Sequence, residues 1–88
     1  MDPLVGVLCR ALHVPLSSAS ARRFGSEPET GLPGDMAWVI VGPRWEVWIY
    51  DDEVDVRPSA ASTQAVSFER LANQATLVSQ VAAAVREI

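Results

Sequence analysis

AWVIVGPRWEVWIYDDEVDVR, residues 37–57, holds all three tryptophans and the only tyrosine of the 88-residue chain. It is rich in apolar and β-branched residues, and two turn signals, Gly42-Pro43-Arg44 and Asp51-Asp52, interrupt it. That pattern predicts three short antiparallel strands. Parity then gives a register. A three-residue turn at residues 42–44 pairs Val41 with Trp45, Val39 with Val47 and Ala37 with Ile49, and puts all six on one face. A two-residue turn pairing Val41 with Arg44 would mix the faces, so an odd-length connection is expected. The second turn pairs Tyr50 with Glu53, Ile49 with Val54 and Val47 with Val56, and sets Glu46 against Arg57 and Trp48 against Asp55.

Two faces follow. Val39, Val41, Val47, Ile49, Val54 and Val56 form the expected core face. Trp38, Ile40, Trp48 and Tyr50 share the other with Glu46, Glu53, Asp55 and Arg57. An N-terminal helix is read over residues 3–13, with Asp2 as cap and Pro3 at the first helical position; Pro15 ends it. Residues 16–24 admit two readings, a short helix capped by Ser17 or an extended run along the sheet edge. The glycines and prolines of residues 25–35 mark a loop, and residues 59–64 a polar linker. A long amphipathic helix is expected from about Ser67 to Glu87, carried by Phe68, Leu71, Ala75, Val78, Val81, Ala82, Val85 and Ile88. The fold class is α+β, one small domain over residues 1–88. It is a three-stranded antiparallel meander with an N-terminal helix and a longer C-terminal helix, in the order α-β-β-β-α. The long helix should cover the valine face, because three strands need such a cover.

Composition narrows the function. The net charge is −4 and the seven basic residues, all arginine, are scattered. A nucleic-acid binder usually carries a basic stripe, so no nucleic-acid partner is expected. No run approaches the roughly 18 apolar residues of a membrane span, and no signal peptide is read. The single cysteine, Cys9, leaves no disulfide framework and suits a reducing cytoplasm.

No catalytic constellation is recognised, and neither a cofactor nor a metal is expected. Cys9 and His13 stand one helical turn apart, but a structural zinc site needs four ligands, and the chain has no other Cys or His. Asp51, Asp52, Glu53 and Asp55 match no EF-hand spacing, and strand alternation sends their side chains to opposite faces. They read as a solvated turn or as an acidic patch for a basic partner. The glycine loop at 31–34 precedes a strand rather than a helix, the wrong order for phosphate binding.

The aromatic face remains. Either the N-terminal helix covers it, or part of it is open and binds a protein. Trp, Tyr and Arg are the residues enriched at binding hot spots. The expected protein-binding residues are therefore Trp38, Trp48 and Tyr50, ringed by Glu46, Asp55 and Arg57.

The lysine-free composition, the small size and the segment WEVWIYDD (45–52) resemble uncharacterised small accessory proteins of actinobacteria and of their phages. The Trp-Glu-Val-Trp segment (45–48), followed by a turn and a C-terminal helix, is also similar to some bacterial immunity proteins. Both resemblances imply a small cytoplasmic protein, not an enzyme, that acts by binding a host protein or a toxin. A homo-oligomeric assembly protein, such as a homodimer, built on the same face or on the alanine-rich side of the long helix, is the alternative.

Overall fold

The computed structural model describes residues 2–24, 35–60, 64–70 and 73–88. The expected loop at 25–35 lies outside these residues, except for Asp35, which opens a strand.

The architecture is α+β, in two layers. Five strands, β1 (Ala19–Phe24), β2 (Asp35–Val41), β3 (Trp45–Ile49), β4 (Glu53–Pro58) and β5 (Val66–Glu69), form one antiparallel sheet in sequence order. Two helices, α1 (Pro3–Ala11) and α2 (Gln74–Arg86), lie over it. The expected three-stranded meander is thus corrected to five strands. β1 is the extended alternative for residues 16–24, entered through a 3-10 turn at Leu16–Ser18.

β5 occupies residues assigned to the long helix, and α2 begins only at Gln74. The reason is local. Val66 and Phe68 alternate with Ser67 and Glu69, so pairing with β4 sets Val66 beside Val56 and Phe68 beside Val54. Asn73 is then the cap, its side chain accepting from the Ala75 and Thr76 N–H groups at 2.9 and 3.4 Å.

α1 begins as its sequence signals. The Asp2 carboxylate accepts the Leu4 N–H at 3.0 Å, with Pro3 at the first helical position. It closes with the Val14 N–H on the Cys9 carbonyl (3.0 Å) and the His13 N–H on Arg10 (3.3 Å), a Schellman closure. His13 takes the left-handed position, φ 58°, that usually falls to glycine.

The first hairpin departs from the expected register by one residue. Val39 opposes Trp48, Ile40 opposes Val47 and Val41 opposes Glu46. The Gly42 N–H donates to the Trp45 carbonyl at 2.9 Å, so the turn proper is the two-residue Pro43-Arg44. Gly42 explains the choice. A Cβ placed there would overlap the Trp45 ring, so the indole lies against the bare backbone of Gly42, just beyond the end of β2. The second hairpin has the expected register, with Glu46 opposite Arg57, Val47 opposite Val56, Trp48 opposite Asp55 and Ile49 opposite Val54.

A one-residue slip exchanges the faces of a strand. Ile40, Trp45, Val47, Ile49, Val54 and Val56 form the buried sheet face, and Leu4, Val5, Leu8 and Cys9 of α1 and Leu77 and Val81 of α2 pack on it. Trp38 packs at the margin of this cluster. Val39 and Val41, expected in the core face, belong to the other one. α1 lies over β2, α2 over β4 and β5, and the two helices touch. Both therefore cover the same face. Arg70 ties the layers together: it ion-pairs with Asp2 and donates to the Tyr50 carbonyl at 2.8 Å.

Candidate functional site: the uncovered sheet face

Among the described residues, no element packs on the face opposite the helices. Register places its residues in rows. Ser20, Val39, Trp48, Asp55 and Ser67 run straight across the five strands, and Val41, Glu46 and Arg57 form a shorter row beside them. On the other flank Arg22 and Ala37 lie at one end, and Tyr50, Glu53 and Glu69 at the other.

Trp48 is the centre. Its indole N–H donates to Glu46 Oε1 at 3.1 Å, the short i,i+2 reach available on one strand face. The Arg57 guanidinium lies 4.5 Å from the ring centroid and that of Arg22 5.6 Å, both within cation–π range. Arg22 comes from β1 and Trp48 from β3, so they meet across β2. Beneath them Ala37 and Val39 are 1% and 0% exposed although no described helix covers them. Trp48 and Arg22 are thus a roof over β2 as well as a surface.

Tyr50 stacks beside Trp48, centroids 6.4 Å apart and planes 22° from parallel. Burial pushes its phenol pKa up, the Asp55 charge adds to this, and Arg57 opposes it. Asp55 is the one buried charged residue among those described. It accepts from the Ser67 hydroxyl at 2.8 Å and pairs with Arg57 at 3.5 Å. The expected Glu46–Arg57 partnership is replaced: the two lie opposite each other, but Arg57 turns to Asp55, to the Tyr50 hydroxyl (3.5 Å) and to the Trp48 ring. Lying on that ring, Arg57 keeps its Nε shut from solvent without a hydrogen-bond partner.

Of the six residues expected to bind a partner, five are brought together: Trp48, Tyr50, Glu46, Asp55 and Arg57. Trp38 is not, because the register turns it to the helix side. Arg22 and Ser67 were missed. Their signal was the alternation of Ala19 and Ala21 with Ser20 and Arg22, and of Val66 and Phe68 with Ser67 and Glu69. It is too short in each case to outweigh the neighbouring helix signals.

Elsewhere, burial raises the Cys9 thiol pKa, which disfavours the nucleophilic thiolate. Among the described residues no group of three or more His, Cys, Asp or Glu is placed to hold a metal ion. No described helix is long and apolar enough to cross a membrane. Comparison with protein-family models, curated proteins and solved structures returned no match.

Proposed function

We propose that the chain is a non-enzymatic protein-binding module whose contact surface is the uncovered sheet face. The observation that carries this reading is Trp48 with Tyr50. These are two stacked aromatic rings, rimmed by charged side chains, on a face that no described element covers. Such a centre of Trp, Tyr and Arg is the composition of an interface hot spot. Trp48, Tyr50 and Arg57 are the anchors, and Glu46 and Asp55 hold them in position. The module acts in the cytoplasm. The resemblance to phage accessory proteins makes a host protein the partner, and the resemblance to immunity proteins makes it a toxin.

A photo-crosslinking residue in place of Tyr50, compared with one in place of the exposed Arg10 on α1, tests this in cells of the source organism. A discrete protein adduct from position 50 alone, abolished by adding Trp48→Ser, is expected. Equal adducts from both positions would sink the assignment.

A second reading is favoured by the β5 edge. Val66 is half exposed there, beside a groove of about 380 Å³ lined by Val56, Pro58, Ala84 and Ile88. Among the described residues nothing pairs with the outer edge of β5, and an open strand edge is a template for pairing, here with a second copy of the chain. Light scattering over a concentration series decides it: a monomer at every concentration removes this reading.

A further inference from the structure

The uncovered face is electrically lopsided. Glu53 and Glu69 stand directly opposite one another on β4 and β5, and like charges so placed are destabilising. Asp55 and Asp52 lie close enough that their charges, with some burial, raise the Glu53 pKa. The cations of the face do not relieve this. Arg22 and Arg57 are both drawn onto Trp48, and Arg57 is also paired with Asp55. Arg70, next in sequence to Glu69, is held by Asp2 and the Tyr50 carbonyl. The face therefore has an arginine end at β1 and an acidic end at β4 and β5, with the aromatic pair between them.

Resting on the reading of this face as protein-binding, we propose that its partner is a basic protein surface whose arginines or lysines seat on Glu53 and Glu69 beside Tyr50. Charge complementarity selects this occupant. Cations there turn a repulsive cross-strand pair into two charge-assisted hydrogen bonds. They do so next to aromatic rings that accept the apolar stems of such side chains. The gradient also orients the partner, with its basic part over β4 and β5 and away from Arg22.

The test is an NMR titration of the 15N-labelled chain with an (Arg-Ser)4 peptide and, separately, a (Glu-Ser)4 peptide, at low salt. The arginine peptide should shift the resonances of Tyr50, Glu53, Ser67 and Glu69 and the Trp48 indole. Glu69→Gln should weaken its binding about threefold and Glu53→Gln/Glu69→Gln about tenfold, as expected for exposed ion pairs removed singly and together. Glu87→Gln, which removes one negative charge at the end of α2, should change it little.

Equal loss in Glu87→Gln and Glu69→Gln would show attraction to net charge alone and overturn the proposal. Preferential docking of the glutamate peptide on this face would overturn the basic partner and leave protein binding standing. If neither peptide perturbs the face, the proposal falls, and the crosslinking at position 50 still decides the broader reading separately.

Discussion

The two faces of the sheet are built from adjacent residues of the same strands, yet they are stabilised differently. On the covered face Val47, Ile49, Val54 and Val56 are almost wholly buried beneath α1 and α2. Their stability is burial of apolar area, which is non-directional and forgiving of chemistry provided volume is kept. On the uncovered face the contacts are directional: an indole N–H on a carboxylate, guanidinium groups on an aromatic ring, a serine on a buried aspartate. Such groups fix side-chain positions while leaving Trp48 and Tyr50 partly exposed among the described residues, although Ala37, Val39 and Asp55 beneath and beside them are buried. That difference separates a face that holds the fold from one available for recognition, and substitutions on each should break it in different ways.

The largest effect belongs to the covered face. Ile49→Ala should cost about 3 kcal/mol of stability in urea unfolding, the usual loss for a buried large aliphatic residue. Gly42→Ala should cost about 2 kcal/mol by driving a methyl group into the Trp45 ring; an unchanged midpoint would mean that Trp45 does not lie on Gly42. Trp48→Ser should cost less, about 1–2 kcal/mol, because only the roof over Ala37 and Val39 is lost. It should nevertheless remove the crosslinked partner completely. A Trp48→Ser loss equal to that of Ile49→Ala would erase the distinction between the faces.

Gly6→Ala, on α1 with nothing within 4 Å of the added methyl group, should raise stability by about 0.5–1 kcal/mol. A gain there beside a loss at Ile49 would localise the contribution of the helix layer to its inner side. The smallest effect is at Glu53. Its pKa is raised in the folded chain, so the folded state binds the proton more tightly than the unfolded one. Stability from this group is present below the ordinary glutamate value and is lost as pH rises through the raised one. Glu53→Gln should therefore raise the melting temperature at pH 7, with the gain fading as pH falls toward about 4. A gain that persists at low pH would point to a cause other than charge.

Much of this was legible in the sequence. Asp2-Pro3 fixed the start of α1, and the Asp51-Asp52 turn fixed the β3–β4 register because both of its faces agreed in chemistry. The β2–β3 register was misread for a physical reason. Grouping the valines on one face demands an odd-length turn, but residues 37–41 are apolar throughout, so hydrophobicity cannot choose which face of β2 turns inward. The choice falls to the packing of Trp45 on Gly42, a contact between a ring and a missing Cβ that no periodicity reports. β1 was legible only as one of two readings of residues 16–24, and β5 was hidden, because each shows only four alternating residues. The site survived the error largely intact. Four of its five members lie on β3 and β4, beside Tyr50 at the start of their turn, where the register was right, and only Trp38, on β2, changed sides.

The central claim is that this register turns Trp48 outward with Val39 and turns Trp38 toward the helices. Cross-strand Hα–Hα contacts in an NMR spectrum report it directly, because they are short only between residues facing each other in non-hydrogen-bonded pairs. The account predicts strong cross-peaks between Val39 and Trp48 and between Val41 and Glu46. Cross-peaks between Trp38 and Trp48, or between Ile40 and Glu46, the non-hydrogen-bonded pairs of a register closed by Val41 and Trp45, would contradict it and return Trp38 to the face of Trp48.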